Sequence, residues 1–308
     1  MPLSRPLPIL RLFLPVALVL ACDKATTPTP APTPPPAAIP SAEPPAEPAR
    51  EPEPVAASPR PQEPAIAPDT PAPPPEEVAA PPSGPRKVLV LGDSLAATGF
   101  GALLEKRLDA HPDIECFRKA KSATGLARPD FYDWETEAKK AVEQRKPDLV
   151  VVIMGGNDGQ DLTTKSGKGK RVAWKSDEWN DAYKERVSGF LREISAEGRK
   201  ILWLGLPRTN TTNFEQKLTT IRQIQSQAVA ELGDAAVYLD TSPFLTDDAG
   251  NLIQTATVGK SKNAALRADD GIHFTMAGSE YFADKVYPEV LRVLGVEDAP
   301  SGGKKTQK

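Results

Sequence analysis

The sequence predicts an α/β fold with a five-stranded parallel sheet and helices on both of its faces. From Arg86 onward, five short strand-like runs alternate with segments of helical periodicity. The runs in "KVLVLGDS" and "PDLVVVIMGGND" are apolar and rich in β-branched residues, which is typical of strands buried on both faces. The roughly 210 residues from 86 to 297 suit one domain of this three-layer α/β/α type.

The elements are predicted in strict alternation along the chain. Strands are predicted in "KVLVLGDS", "DIECFRKAKSATG", "PDLVVVIMGGND", "RKILWLGLP" and "AAVYLDTS". Helices are predicted in "LAATGFGALLEKRLDA", "DWETEAKKAVEQRK", "SDEWNDAYKERVSGFLREISAEG", "NFEQKLTTIRQIQSQAVAELG" and "TMAGSEYFADKVYPEVLRVLG". Asp133 should cap the second helix, and Ser176 or Asp177 the third, which Gly198 should end.

Residues 1–21 have the composition of an export signal. Arg5 and Arg11 precede the apolar run "LFLPVALVLA", which is too short to be a stable membrane anchor. The run ends in "VLAC", which resembles the lipobox of bacterial lipoproteins. The resemblance implies that Cys22 is diacylated, with chains such as palmitate, and that the protein is lipid-anchored to a bacterial membrane, facing the periplasm or the cell exterior. An ordinary secretory signal is the alternative.

Residues 22–85 are predicted to be a disordered tether. They hold 23 of the 34 prolines of the chain and few large apolar side chains, so they cannot offset the entropy of ordering. The polar tail 298–308 is predicted to be disordered as well. Residues 86–297 carry 30 basic and 31 acidic side chains, so no nucleic-acid surface is expected.

Residues able to perform catalysis follow the predicted strands. Ser94 ends "GDS" after the first strand, Gly125 ends "SATG" after the second, and Asn157 lies in "GGND" after the third. Asp270 and His273 lie in "DGIH" before the last helix. The carboxyl ends of parallel strands meet at one edge of a sheet, where ligands bind. We therefore expect these five residues to lie together.

This set of residues is suited to acyl transfer. A serine hydroxyl needs a neighbouring base, and His273 is one of only two histidines. Asp270 could orient the imidazole, as in a Ser-His-Asp site, although Asp269 is an alternative. Candidate oxyanion donors are the backbone N–H groups of Ser94 and Gly125 and the side-chain amide of Asn157.

The blocks "GDSL", "GGND" and "DGIH", with a glycine after the second strand, resemble those of the SGNH, or GDSL, hydrolase superfamily. The resemblance covers residues 86–295 and implies a flavodoxin-like fold and esterase, lipase, acetylxylan-esterase or O-acetyltransferase activity. It implies Ser94, His273 and Asp270 as catalytic residues and Ser94, Gly125 and Asn157 as the oxyanion hole. It also implies that no metal or organic cofactor is needed. "SATGLARPDFYDW" and "DGIHFT" are similar to a branch of bacterial envelope SGNH proteins.

Three functions remain open from the sequence. The first is an envelope-tethered esterase that removes acetyl groups from a cell-envelope glycan. The second is an O-acetyltransferase, which would need a membrane partner that delivers the acyl group. The third is a non-catalytic module that binds glycan or scaffolds a complex. The basic residues 161–179 are either a solvated loop or a mobile lid over an acidic or sugar substrate. His111 is predicted to be solvated, and Cys116 buried.

Overall fold

The computed structural model describes residues 84–298. The predicted signal peptide, Cys22, nearly all of the predicted tether 22–85, and residues 299–308 of the predicted tail lie outside the described residues. The boundaries given above for these segments therefore stay predictions. Within residues 84–298, no helix combines the length and the apolar character that crossing a membrane requires.

Five parallel strands form the central sheet, as predicted. They are β1 Arg86–Gly92, β2 Ile114–Ala120, β3 Leu149–Ile153, β4 Lys200–Leu204 and β5 Ala236–Leu239. Their order in the sheet is β2-β1-β3-β4-β5. This is the flavodoxin-like order, in which the chain reverses its direction of growth between β1 and β3. The carboxyl ends of these two neighbouring strands therefore define the position at which a ligand is expected.

Seven helices are described within residues 84–298. They are α1 Ser94–Ala97, α2 Gly99–Asp109, α3 Trp134–Arg145, α4 Trp179–Ile194, α5 Thr212–Ala230, α6 Ser242–Leu245 and α7 Met276–Leu294. Helices α2 and α7 pack together, whereas α3 packs on α4 and α4 on α5. The sheet is thus enclosed between two helical layers, and the strands β1 and β3 at its centre are almost fully buried. The predicted three-layer architecture is confirmed.

The predicted first helix is interrupted at Thr98, whose backbone is extended. The interruption lets α2 pack closely against α1, because a Cβ atom on Gly101 would lie 1.9 Å from the carbonyl oxygen of Ala96. A single long helix would carry the chain away from the sheet edge. The break leaves Ser94 in a short, separate turn directly after β1.

Two predicted ends of α4 are wrong, whereas the cap of α3 is confirmed. The Asp133 side chain accepts a hydrogen bond from the backbone N–H of Thr136 at the start of α3. Helix α4 begins later than predicted, with Glu178 in the cap position. It ends at Ile194, because the Ser195 hydroxyl donates to the Leu191 carbonyl and the chain becomes extended. Gly198 lies in the following turn with a positive φ of 72°.

The region between β5 and α7 is more structured than the sequence predicts. Strands β6 Thr255–Val258 and β7 Ser261–Ala265 form an antiparallel hairpin, and α6 precedes it. The hairpin is mostly exposed and polar, so it lacks the apolar alternation by which strands are recognised. Strand β5 is also only half-buried, as suits the edge of the sheet, rather than fully buried as predicted.

Cys116 is buried, as predicted, whereas the prediction for His111 is wrong. Burial raises the pKa of the Cys116 thiol far above its ordinary value, which suits an inert core residue. His111 is only 4% exposed. Its Nε2 lies 2.9 Å from the carbonyl oxygen of Glu297, and its Nδ1 accepts from the N–H of Asp113. This imidazole therefore joins the end of α2 to the chain after α7.

Candidate active site

Ser94 is held at the sheet edge by the residue before it. Asp93 caps α1 by accepting a hydrogen bond from the N–H of Leu95 at 3.1 Å. Its second carboxylate oxygen accepts from the N–H groups of Gly155 and Gly156, at 3.1 and 3.0 Å. Burial raises the pKa of Asp93 to about 6 despite these donors. The loop after β1 is thereby bound to the loop after β3.

Ser94, His273 and Asp270 form a continuous hydrogen-bonded chain. The Nε2 atom of His273 lies 2.9 Å from the Ser94 hydroxyl oxygen, and Nδ1 lies 2.7 Å from a carboxylate oxygen of Asp270. The hydrogen bond with His273 is the main cause that lowers the pKa of Asp270 to about 2. Asp269 forms no hydrogen bond or ion pair with His273 in the described residues, so the geometry favours Asp270 as the orienting carboxylate.

The loop that carries this pair is organised by its own backbone. Asp270 accepts hydrogen bonds from the N–H groups of Ile272 and His273, at 2.8 and 2.9 Å. Gly271 has a φ of 68°, and a Cβ atom there would lie 2.1 Å from the Asn210 side-chain oxygen. The Thr275 hydroxyl then caps α7 by accepting from the N–H of Gly278. The three residues after Asp270 therefore turn the imidazole back toward Ser94.

Arg267 is a positioning residue that the sequence did not reveal. Its guanidinium donates to the carbonyl oxygen of Ile272 at 2.7 Å and to that of Arg208. It also lies 4.1 Å from the centre of the Phe274 ring. Burial lowers the pKa of Arg267 to about 10. The guanidinium thus holds the His273 loop through contacts with the residues on either side of His273.

Two of the three predicted oxyanion residues, Asn157 and Gly125, line different depressions. Asn157 lines the cavity beside Ser94, and its amide nitrogen donates one hydrogen bond to the Thr124 carbonyl at 2.9 Å. A primary amide has two N–H donors, so one remains for a ligand. Gly125 is buried and lines a neighbouring depression with Thr163 and Arg186. Its role as a donor stays a prediction.

Asp158 explains why position 125 requires glycine. Its buried carboxylate accepts from the N–H groups of Leu126 and Ala127, at 3.0 and 2.8 Å, and from the Tyr183 hydroxyl at 2.8 Å. A Cβ atom on Gly125 would lie 2.1 Å from one of its oxygens. The role of this aspartate was not predicted from the sequence. Its position in the turn that follows an entirely apolar strand was the available signal, since a carboxylate buried there needs several donors.

The cavity at Ser94 is small and has one apolar wall. Its volume is about 130 Å³, and Ser94, Asn157 and His273 contribute its polar side. The apolar wall consists of Leu206, Pro207, Phe214, Leu218 and Ile272. The side chains of His273 and Asp270 remain 39% and 46% exposed, so the site is open to solvent on their side. The cavity therefore suits a small group, and the larger part of a ligand would extend toward the open side.

Metal binding and lipidation concern different parts of the chain. Among residues 84–298, no group of three or more His, Cys, Asp or Glu side chains is arranged to bind a metal ion. Cys22, the predicted lipidation site, lies outside the described residues. Lipidation therefore remains a prediction from the sequence.

The sheet has the flavodoxin-like order that the predicted resemblance implies, so the predicted fold is confirmed. The chain belongs to the family described as "Protein of unknown function (DUF459)", whose model matches residues 87–289. A comparison with curated proteins finds no significant match.

Several solved structures are similar to this chain. TesA is 23% identical over 68% of this chain and 99% of its own, with a TM-score of 0.46. Axe2, an acetylxylan esterase from Geobacillus stearothermophilus, is 19% identical over 71% and 99%, with a TM-score of 0.48. The psychrotrophic esterase EstA from Pseudoalteromonas sp., in a structure inhibited by monoethylphosphonate, is 15% identical over 68% and 99%, with a TM-score of 0.46.

Proposed function

We propose that this protein is a serine esterase that hydrolyses short acyl esters on a cell-envelope glycan. The observation that carries the proposal is the hydrogen-bonded chain at the sheet edge. The Asp270 carboxylate contacts His273 Nδ1 at 2.7 Å, and His273 Nε2 contacts the Ser94 hydroxyl at 2.9 Å. These two contacts support a Ser-His-Asp mechanism of nucleophilic catalysis.

The reaction would begin with attack of the Ser94 oxygen on the ester carbonyl carbon, while His273 accepts the hydroxyl proton. Ser94 is the first residue of α1, so its N–H has no partner within the helix and can donate to the oxyanion together with Asn157. The carbon–oxygen bond to the alcohol then breaks, and His273 returns the proton to the leaving alkoxide. Water, deprotonated by His273, releases the acid from Ser94 in the second half.

A short acyl group is favoured by the size of the cavity. Its volume of about 130 Å³ is well below the roughly 300–1,000 Å³ of pockets that enclose drug-sized ligands. The wall that includes Leu206, Phe214 and Ile272 would cover a methyl group and exclude water from it. A long chain would leave the cavity on its exposed side. We therefore propose acetyl as the preferred group.

An envelope glycan as the substrate is supported by the N-terminal sequence. The predicted lipidated Cys22 would fix the protein to a membrane. The Pro-rich residues 22–85, at about 3.1 Å per residue in an extended conformation, would give a maximal reach of roughly 200 Å. Such a reach suits polymers of the cell wall better than lipids in the anchoring membrane.

A fluorophosphonate probe tests the proposal, because it phosphonylates only an activated serine. We expect labelling of the full chain, its loss in Ser94→Ala and a strong reduction in His273→Ala. Ser261→Ala, which alters an exposed serine on β7, is the matched control and should label like the wild type. Failure of the folded wild type to label, with folding checked by circular dichroism, would instead favour the non-catalytic glycan-binding module.

A further inference from the structure

A second, larger depression lies between the basic insert and helix α5. The insert comprises residues 161–179, and its last residues face the first turns of α5 across an open groove of about 780 Å³. We call this depression the insert groove. Its volume lies within the range of sites that bind small molecules or segments of polymers. It is separate from the cavity at Ser94.

The insert is anchored by several contacts, which favours a fixed platform over a mobile lid. Leu162 and Val172 pair through two backbone hydrogen bonds, of 2.9 and 3.1 Å. The N–H of Trp174 donates to an Asp161 carboxylate oxygen at 2.9 Å. The ammonium group of Lys165 lies 2.9 Å from the Glu135 carboxylate on α3. The position of Trp174 at the groove is thus fixed from both sides of the insert.

The groove has the composition of a carbohydrate site. Trp174 packs edge-on against Trp179 with ring centres 4.3 Å apart, and Trp179 stacks on Tyr183 at 4.8 Å. This aromatic stack gives the groove a rigid wall with little entropy to lose. The groove is also lined by the amides of Asn180, Asn213 and Gln216. Amides both donate and accept hydrogen bonds, as the hydroxyl groups of a sugar require.

The charge around the groove is positive on balance. The cations Lys175 and Lys217 line it together with one carboxylate, Asp177. The cation Arg171 and the carboxylate Asp161 line the adjoining depression, which shares Trp174 and Lys217 with the groove. These three cations form no ion pair within residues 84–298, whereas Lys165 does. The insert has five basic and three acidic side chains, while residues 86–297 as a whole are nearly neutral. The groove therefore favours an anionic ligand over a neutral one.

Helix α5 connects the groove to the candidate active site. Phe214 and Leu218 line the cavity at Ser94, whereas Gln216 and Lys217 of the same helix line the groove. The stem of Lys217 packs on Gly159, where a Cβ atom would lie 2.7 Å from Lys217 Cδ. Gly159 follows Asn157 by two residues. A polymer in the groove would therefore pass close to the cavity.

We propose that the insert groove binds the anionic glycan that carries the acyl group. Trp174 and the three amides contact the sugar rings, and Lys217 pairs with carboxylate or phosphate groups on the chain. The part of this inference that makes the bound glycan a substrate rests on the proposed esterase function. Its test, however, measures binding alone and needs no turnover.

Calorimetric titration of the full wild-type chain with three oligosaccharides of similar length tests the preference. An oligogalacturonide supplies carboxylates, a phosphorylated maltodextrin supplies phosphates, and an unmodified maltodextrin is neutral. We expect at least one anionic probe to bind about tenfold tighter than the neutral one, and this advantage to fall with added salt. The anionic probe that binds more tightly shows whether the groove prefers carboxylate or phosphate groups. Equal binding of all three, or no binding, would overturn the proposal.

Substitution of one lysine locates the binding site. Lys217→Gln should weaken binding of the preferred anionic probe about tenfold, the loss of one charge-assisted contact. Lys285→Gln is the matched control, because Lys285 is also exposed and lies over an aromatic ring, Tyr281, on α7. Equal effects of the two substitutions would contradict the assignment. If the protein binds the anionic probe but is not labelled by the fluorophosphonate, the esterase proposal is refuted and the proposal of a glycan-binding groove is retained.

Discussion

Two buried carboxylates determine the geometry of the candidate active site without contacting its nucleophile through their side chains. Asp93 and Asp158 are both almost inaccessible to solvent, and burial raises the pKa of each. Each is stabilised by backbone N–H groups of a different loop. Together they connect the loops that follow β1, β2 and β3. Both carboxylates are therefore structural, because they hold three loops of the candidate site together.

Asp270 is the carboxylate that we propose takes part in catalysis. Because its pKa is lowered to about 2, it stays ionised throughout the range from pH 5 to pH 8. Asp270→Asn should therefore lower kcat for p-nitrophenyl acetate by a similar factor, up to about 10⁴, at every pH in this range. Asp269→Asn alters the exposed neighbour and should stay within about twofold of the wild type. A larger loss in Asp269→Asn would reverse the assignment.

The loop after β2 is held in place by contacts with the loop after β3 and with helix α4. Gly125 lies against the Asp158 carboxylate, and Arg186 from α4 donates to the carbonyl oxygens of Leu126 and Ala127. The same guanidinium donates to the Thr163 carbonyl in the insert. One helix therefore supports both the predicted oxyanion loop and the insert, and movement of either should affect the other.

Gly125→Ala tests this arrangement. The added Cβ would displace the Asp158 carboxylate and leave buried N–H groups unsatisfied, so we expect a loss of roughly 2–4 kcal/mol in the free energy of unfolding. Urea denaturation measures it. In the control Gly189→Ala on α4, the nearest atom is the flexible end of Glu135, and stability should be unchanged or rise by up to about 1 kcal/mol. Equal stability of the two variants would contradict the constraint at position 125.

The sequence was sufficient for elements that are marked by apolar periodicity or by helix caps. The five parallel strands and the Asp133 cap were predicted because each depends on residues close together in the chain. The hairpin β6–β7 was missed, since its exposed strands have no apolar pattern. His111 was predicted to be solvated because its neighbours are polar, and only the return of the chain at Glu297 buries it. Contacts between segments that are distant in the sequence were thus the main features that could not be predicted.

At the scale of the whole molecule, residues 84–298 contain the sheet, the cavity at Ser94 and the insert groove. For residues 22–85 we propose a different task, which is to hold this domain within reach of its substrate. A tether acts by raising the local concentration of enzyme near the polymer, to the order of millimolar for short flexible linkers. We therefore expect catalysis by residues 84–298 to be separable from targeting by residues 22–85.

A chain that begins at residue 84 should consequently keep its catalysis and lose its targeting. We expect kcat/KM for p-nitrophenyl acetate, a soluble ester, to stay within about twofold of the full chain, because every residue of the site is present. Acetate release from intact envelopes should fall by about 10²-fold when the truncated protein is supplied at the same total amount.

Cys22→Ala in the full chain keeps residues 23–85 but removes the predicted site of acylation. If this variant releases acetate as slowly as the truncated protein, anchoring is the cause, whereas normal release would show that the lipid is dispensable. A loss of soluble-ester activity on truncation would contradict the separation, because it would place part of the active site within residues 22–83.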